Sequence, residues 1–429
     1  VSESPTPRPP RNNARQRQQL RKEQQVRRQH VQRQQDRASK DQQLSPMPRF
    51  RMPNLPIPTR LLTGAAYLLL AVGLIVGIVY GLRFINPPAP VTYPNALWLG
   101  TEWTYDLPTE DEVVGLVARM QQNRIGTAYV WVSYLKTDQT WSGKRSERDP
   151  ITDQIVTTIN PQTGQPYSDT LAEMEPNIRA FVEQYNRLYP QGQLYGWISY
   201  PVGTGEEYTL ADENIHTRIA ELAALLVLDY GFDGVYLNVE PVLDGDENFL
   251  KLLRTVRLTL DSVAPLDVNG NPERIPVAVA IPPDWRPSGD PVPFSPRVTS
   301  TLEWSYDYKQ SVALLVDEML LMAYQSGLTR ADDYSVWVAY QVQSYARALD
   351  DLGTGVGLWI GVPTYEAELP AHDPDVENIK TAIDGIRSGM IQAGEAASVV
   401  RGLTIYAEWT TDNAEWSMFQ TNWISTPMP

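Results

Sequence analysis

From residue 95 onward the chain alternates two hydropathy periods. Short β-branched and aromatic runs recur as ALWLG (96–100), TAYVWVSY (127–134), LYGWISY (194–200), GVYLNVE (234–240), PVAVAI (276–281), EMLLMAY (318–324), GLWIGVP (357–363) and GLTIYAEW (402–409). Between them, apolar residues fall at three- and four-residue spacings that predict helices. The first follows a capping box, Thr109 with Glu112; the others cover 174–189, 211–229, 246–263, about 305–316, 333–351, 377–393 and 413–424. Eight strand and helix pairs predict an α/β fold, a (β/α)8 TIM barrel over 95–429. An open doubly wound sheet would be expected to carry a Gly-rich phosphate loop after its first strand, and none follows ALWLG. In a barrel the functional face is the C-terminal ends of the strands. Two long connections, Lys136–Glu173 and Pro282–Glu303, are expected there and would shape a cleft.

Upstream of the barrel the pattern changes twice. Residues 61–82, LLTGAAYLLLAVGLIVGIVYGL, contain no charged side chain. As a helix this run is about 33 Å long, enough for a bilayer core, so a single transmembrane helix is expected over 61–83. A cleaved signal peptide would have a shorter apolar core and a shorter leading segment. Residues 1–60 are built from Arg, Gln and Pro with almost no apolar face, which predicts a disordered basic tail. Arg49, Arg51 and Arg60 precede the span, and Arg83 alone follows closely. The positive-inside rule then expects a cytoplasmic N-terminus and an extracytoplasmic barrel on a single-pass protein of the cell membrane, in a bacterial cell envelope. Residues 84–94, with NPPAPVTYP, form a Pro-rich linker.

Charge follows the same division. The 429 residues carry a net −15, from 36 Lys and Arg against 51 Asp and Glu. Residues 1–60 hold 14 of the bases and 4 of the acids, a net of +10, which leaves −25 for the rest. A basic tail can bind nucleic acid, but a solvated tail drawn to anionic lipid is the plainer reading, and the acidic outer domain is not expected to bind nucleic acid. With no Cys and three His, one of them His30 in the tail, thiolate chemistry is excluded and a multi-histidine metal centre is not expected. Neither metal nor cofactor is expected. The DGDE run at 244–247 reads as the acidic start of a helix more readily than as a calcium loop.

The chemistry then rests on carboxylates, amides and phenols, and Gly231–Pro241, GFDGVYLNVEP, concentrates them. Side chains alternate across a strand, so Val235, Leu237 and Val239 share the face toward the helices, while Tyr236, Asn238 and Glu240 point into the barrel. An inward amide and carboxylate need partners or a function. This segment resembles the fourth-strand signature of family 18 glycoside hydrolases, DxxDxDxE, with Asp233, Tyr236, Asn238 and Glu240 at the four positions. Tyr236 and Asn238 stand where that family has acids. Asn two residues before the catalytic Glu, in a context close to FDGWxxNxE, is similar to family 85 endo-β-N-acetylglucosaminidases. EMLLMAYQSG resembles the sixth-strand MxYD segment, with Tyr324 as its phenol and Gln325 in place of its acid. RGLTIYAEWTTD resembles the eighth strand, with Trp409 as its aromatic.

The resemblance implies a substrate-assisted hydrolase in which the 2-acetamido group of an N-acetylated sugar attacks the anomeric carbon. Glu240 would protonate the leaving oxygen, Asn238 would hold the acetamide, and Tyr324 would donate to its oxygen. Tyr236, Trp409, Glu408, Gln325, Trp103, Trp197 and Trp285 are the expected glycan contacts. Trp131, Tyr134, Tyr200 and Tyr365 also fall near strand ends, where aromatic faces suit sugar rings. Two other readings stay open. One is an ordinary retaining glycosidase drawing a second carboxylate from Glu366 or Glu408. The other is a barrel that binds glycan without cutting it, or serves as a scaffold. Sequence leaves the oligomeric state unknown.

Overall fold

The computed structural model describes residues 93–136, 139–142, 147–148, 155–156, 171–266, 270–284, 292–293, 295, 303–365 and 372–426. The chain divides into two units, Val1–Pro88 and Ala89–Pro429, and every described residue belongs to the second. The expected tail and membrane span therefore lie outside the described residues, as do Trp285 and Glu366. Among the described residues, no helix is long and apolar enough to cross a membrane.

Eight parallel strands close into a barrel: β1 (Asn95–Leu99), β2 (Ile125–Tyr134), β3 (Gln193–Pro201), β4 (Gly234–Glu240), β5 (Val277–Ile281), β6 (Glu318–Leu321), β7 (Gly357–Pro363) and β8 (Val400–Tyr406). Each pairs with its sequence neighbour, and β8 returns to β1 through Ala96 opposite Thr404 and Leu97 opposite Ile405. The helices are α1 (Glu110–Gln122), α2 (Leu171–Leu188), α3 (Glu213–Leu225), α4 (Glu247–Val263), α5 (Tyr306–Ala313), α6 (Ala331–Leu352), α7 (Ile379–Ala393) and α8 (Asn413–Phe419). A two-residue antiparallel ribbon, Glu147–Arg148 with Ile155–Val156, lies in the connection after β2.

The helix starts follow their local chemistry. Thr109 and Glu112 form the reciprocal box expected before α1. Asp246 caps α4, accepting from Asn248 and Phe249 amides at 2.9 and 3.1 Å, while Asp244 accepts the Ser305 amide at 2.7 Å. The DGDE run is thus a helix cap, as its composition suggested.

Alternation along the strands separates two cores. Val235, Leu237 and Val239 join the layer between barrel and helices. The interior holds Trp98, Tyr129, Tyr195, Trp197, Tyr236 and Trp359, with Ala96, Ala278, Ala280 and Leu320. Branched aliphatics, the usual filling, are largely replaced by rings set against small residues. Gly361 on β7 shows why. A Cβ there would stand 2.9 Å from the Leu321 carbonyl, 3.0 Å from the Tyr324 ring and 3.2 Å from Trp98.

Candidate functional site

The C-terminal end of β4 delivers the site. Register pairs Ser199 with Asn238 and Pro201 with Glu240, so the amide and carboxylate emerge together at the barrel mouth. The Glu240 carbonyl accepts the Val202 amide at 2.8 Å, which fixes the strand end. Glu240 stays open to solvent there. Crowding by protein still dominates its titration and raises its carboxyl above the ordinary value, while a hydrogen bond from the Asn238 side chain pulls the other way. Asn238 has a second distinctive feature: its Oδ1 is buried without a hydrogen-bond partner.

Phenols surround this pair. Tyr236 is fully buried beneath it, and its hydroxyl is raised well above the usual phenol range by desolvation and then by the Glu240 charge. Tyr324, just past β6, stacks on Tyr406 of β8 at 5.0 Å between ring centroids. Desolvation raises Tyr324 strongly, and Tyr406, Tyr236, Glu240 and Tyr365 all add to the effect, so the four groups share one electrostatic neighbourhood with it. Tyr406 is raised by the same two causes, burial and then Glu240. The peptide bonds Glu240–Pro241 and Tyr406–Ala407 are cis.

Two cavities open among the strand ends, one of them against Glu240. One, of about 250 Å3, is lined by Gly100, Thr101, Glu102, Trp131, Trp197 and Trp409. The other, of about 300 Å3, is lined by Glu240 itself with apolar neighbours that include Ala280, Trp304 and Met322. Trp131 and Trp197 meet edge to face at 4.9 Å, and the Trp197 indole donates to Ser199 Oγ at 2.8 Å.

The residues expected from sequence divide accordingly. Glu240, Asn238, Tyr236 and Tyr324 converge, and Trp197 and Trp409 share the tryptophan-lined cavity. Tyr406, rather than Trp409, is the eighth-strand aromatic that packs against Tyr324; Trp409 stands at the rim, 46% exposed. Trp103 packs on Phe181 in the layer outside the barrel, and its indole donates to Glu408 at 3.4 Å. Glu408 also pairs with Arg119 of α1, so its carboxylate serves the wall between β8 and α1. Tyr200 likewise belongs to the outer layer, bonded to Thr209. Asp233, at the head of the β4 signature, accepts the Leu194 amide at 2.8 Å and ties β3 to β4. Gln325 is exposed, with a backbone φ of 54°. Sequence reasoning passed over Tyr406, although alternation from Thr404 along β8 would have pointed it inward. It also passed over Glu377, whose importance depends on a contact across 51 residues.

No protein-family model matches the chain, and no curated protein matches it. Similar solved structures include the spore cortex-lytic enzyme SleL of Bacillus cereus, at 10% identity over 78% of this chain and 75% of that one, with a TM-score of 0.45. A plant class V chitinase mutant from Cycas revoluta, in complex with (GlcNAc)3, gives 15% identity over 77% of this chain and 99% of that one, also at 0.45. A class V chitinase from Pseudomonas fluorescens gives 12% over 78% and 99%, again at 0.45. The closed eight-strand order rests on the chain's own strand pairing, independently of these likenesses.

Proposed function

We propose that this barrel is a glycoside hydrolase acting on glycans with N-acetylated sugars, by substrate-assisted retaining hydrolysis. The observation that carries the reading is the state of Asn238. Its side chain lies beside Glu240 and lowers that carboxyl's titration, and its buried Oδ1 lacks a donor. An unpaired buried acceptor is costly, and the N–H of a substrate acetamide satisfies it. That bond would turn the acetamide oxygen toward the anomeric carbon, with the Tyr324 hydroxyl as its second anchor. Glu240 would donate its proton to the leaving oxygen and then take one from water. Its raised titration favours the protonated form that the first step needs. A neutral amide beside the acid suits a mechanism in which the substrate supplies the nucleophile. The retaining alternative finds no support in Glu408, which is held by Arg119 and Trp103.

An aryl N-acetylglucosaminide or chitobioside provides the test. Glu240→Gln should lower kcat by about a hundredfold or more, since removing a general acid and base typically forfeits that much. Undiminished release of the aryl group by that variant refutes the assignment. Calorimetric binding of the sugar, with no hydrolysis by the unmodified chain, would instead establish a glycan-binding barrel.

The sequence also supports anchoring by the 61–83 span, with residues 1–60 cytoplasmic and the barrel outside, in a bacterial cell envelope. A C-terminal tag on intact cells should be cleaved by added protease; protection of the tag would reverse the orientation.

A further inference from the structure

Glu377 is 1% exposed, precedes α7, and lies outside the cluster at the mouth. Its two oxygens nevertheless organise the loops that build one wall of that cluster. Oε2 accepts the Gln325 amide at 2.7 Å, and Oε1 accepts the Ser326 amide at 2.8 Å together with the Ser326 hydroxyl. Oε2 also lies 3.3 Å from Nδ1 of His372, a buried ring whose Nε2 meets the Tyr365 carbonyl at 2.8 Å. The Tyr365 and His372 rings are 4.1 Å apart, and the Gln325 side chain lies beside the Tyr365 hydroxyl. One carboxylate thus ties the turn after β6, which carries Tyr324, to the loop after β7, which carries Tyr365.

We propose that Glu377 is a positioning residue for the candidate site: it holds the Tyr324 and Tyr365 phenols in register with Glu240 by clamping the 324–326 turn to His372. Three arguments support this. Gln325 sits at a φ of 54°, in the left-handed region that a glutamine adopts only when its surroundings impose it, and its amide is one that Glu377 holds. The fan of donors requires two acceptor oxygens, one for each adjacent amide, which a carboxylate offers and a carboxamide does not. Tyr324 is the residue immediately before the clamped pair, and its ring stacks on Tyr406 at the site, so release of the turn acts directly on the phenol.

As far as turnover is concerned, the proposal rests on the glycosidase reading above. The full chain and its Glu377→Gln, Glu377→Asp and Ser326→Ala variants are compared by kcat and KM on an aryl N-acetylchitobioside, by Tm, and by hydrogen exchange of the 322–328 segment. In Glu377→Gln, kcat is expected to fall about ten- to a hundredfold, with KM within about threefold, since misplacing a reacting group by a fraction of an ångström costs rate before it costs binding. Exchange at Gln325 and Ser326 is expected to quicken while Tm falls by only a few degrees. Ser326→Ala, which keeps the carboxylate, should retain most of kcat, and Glu377→Asp should recover part of what the amide variant loses. A kcat unchanged in Glu377→Gln, or a loss that tracks Tm across all three variants, overturns the assignment. If the unmodified chain cleaves no such glycoside, the glycosidase reading fails by itself. The clamp is then judged by exchange and by affinity for unchanged N-acetylated oligosaccharide: faster exchange with weaker binding upholds it, and unaltered values overturn it.

Discussion

Asn238 tempers the titration of its neighbour as well as offering an acceptor. The Asn238 side chain lowers the Glu240 carboxyl against the larger, raising effect of the protein crowded around it. In Asn238→Asp the donor is replaced by a second negative charge, which raises Glu240 further. On the proposed mechanism the alkaline limb of the kcat profile, where the acid loses its proton, should therefore move to higher pH, and kcat itself should fall because the proposed acetamide contact is altered. A limb displaced to lower pH would show that Glu240 is not the titrating acid. The β4 residues were legible from sequence because strand alternation has a strict period of two, so an inward amide and acid stand out against Val235, Leu237 and Val239. Glu408 was not: its partner Arg119 lies 289 positions away, and only the barrel's closure brings them together. Tyr406 was passed over because it is the last residue of its strand, and beyond it, at Trp409, alternation no longer predicts direction.

At the level of elements, the same periodicities located all eight strands and all eight helices to within a few residues, with capping boxes marking three starts, at Thr109 and, unforeseen, at Asn378 and Asp412. What escaped was how the elements press on one another. The approach of β6 to β7 is set by Gly361, which leaves space for Trp98 and the Tyr324 ring. Gly361→Ala forces the Leu321 carbonyl, a backbone atom, to move, and overpacking of this kind costs about 1–3 kcal/mol. Chemical denaturation should show that loss, accompanied by reduced turnover as Tyr324 is pushed from its stack on Tyr406. An alanine variant of full stability and activity would mean that the strands yield without consequence.

Across the whole molecule, the barrel carries an acid at each end. Glu240 lies at the mouth; Glu318 begins β6 at the floor, where it accepts from the Tyr129 hydroxyl at 2.7 Å and from Tyr195 at 3.3 Å. Burial pushes Glu318 up from 4.5 to about 7, with its tyrosine hydrogen bonds acting in the opposite direction. Below the unfolded value both states hold the proton. Between that value and about 7, the folded chain keeps a proton that the unfolded chain has released, so stability falls as pH rises through this window and the loss is complete above it. The contribution is up to about 3 kcal/mol. Glu318→Gln should accordingly lose less Tm than the unmodified chain between about pH 5 and about pH 8, a window set by the same linkage. Equal slopes for the two would remove Glu318 as the source. Between these acids the interior is a column of rings, with Tyr129 5.1 Å from Tyr236, Trp98 6.1 Å from both, and Trp197 5.5 Å from Tyr236. Chromophores at such spacings exchange excitation energy, so the barrel is also an optical antenna: light absorbed near the floor can be emitted from Trp131 or Trp197, both of which line the tryptophan-walled cavity.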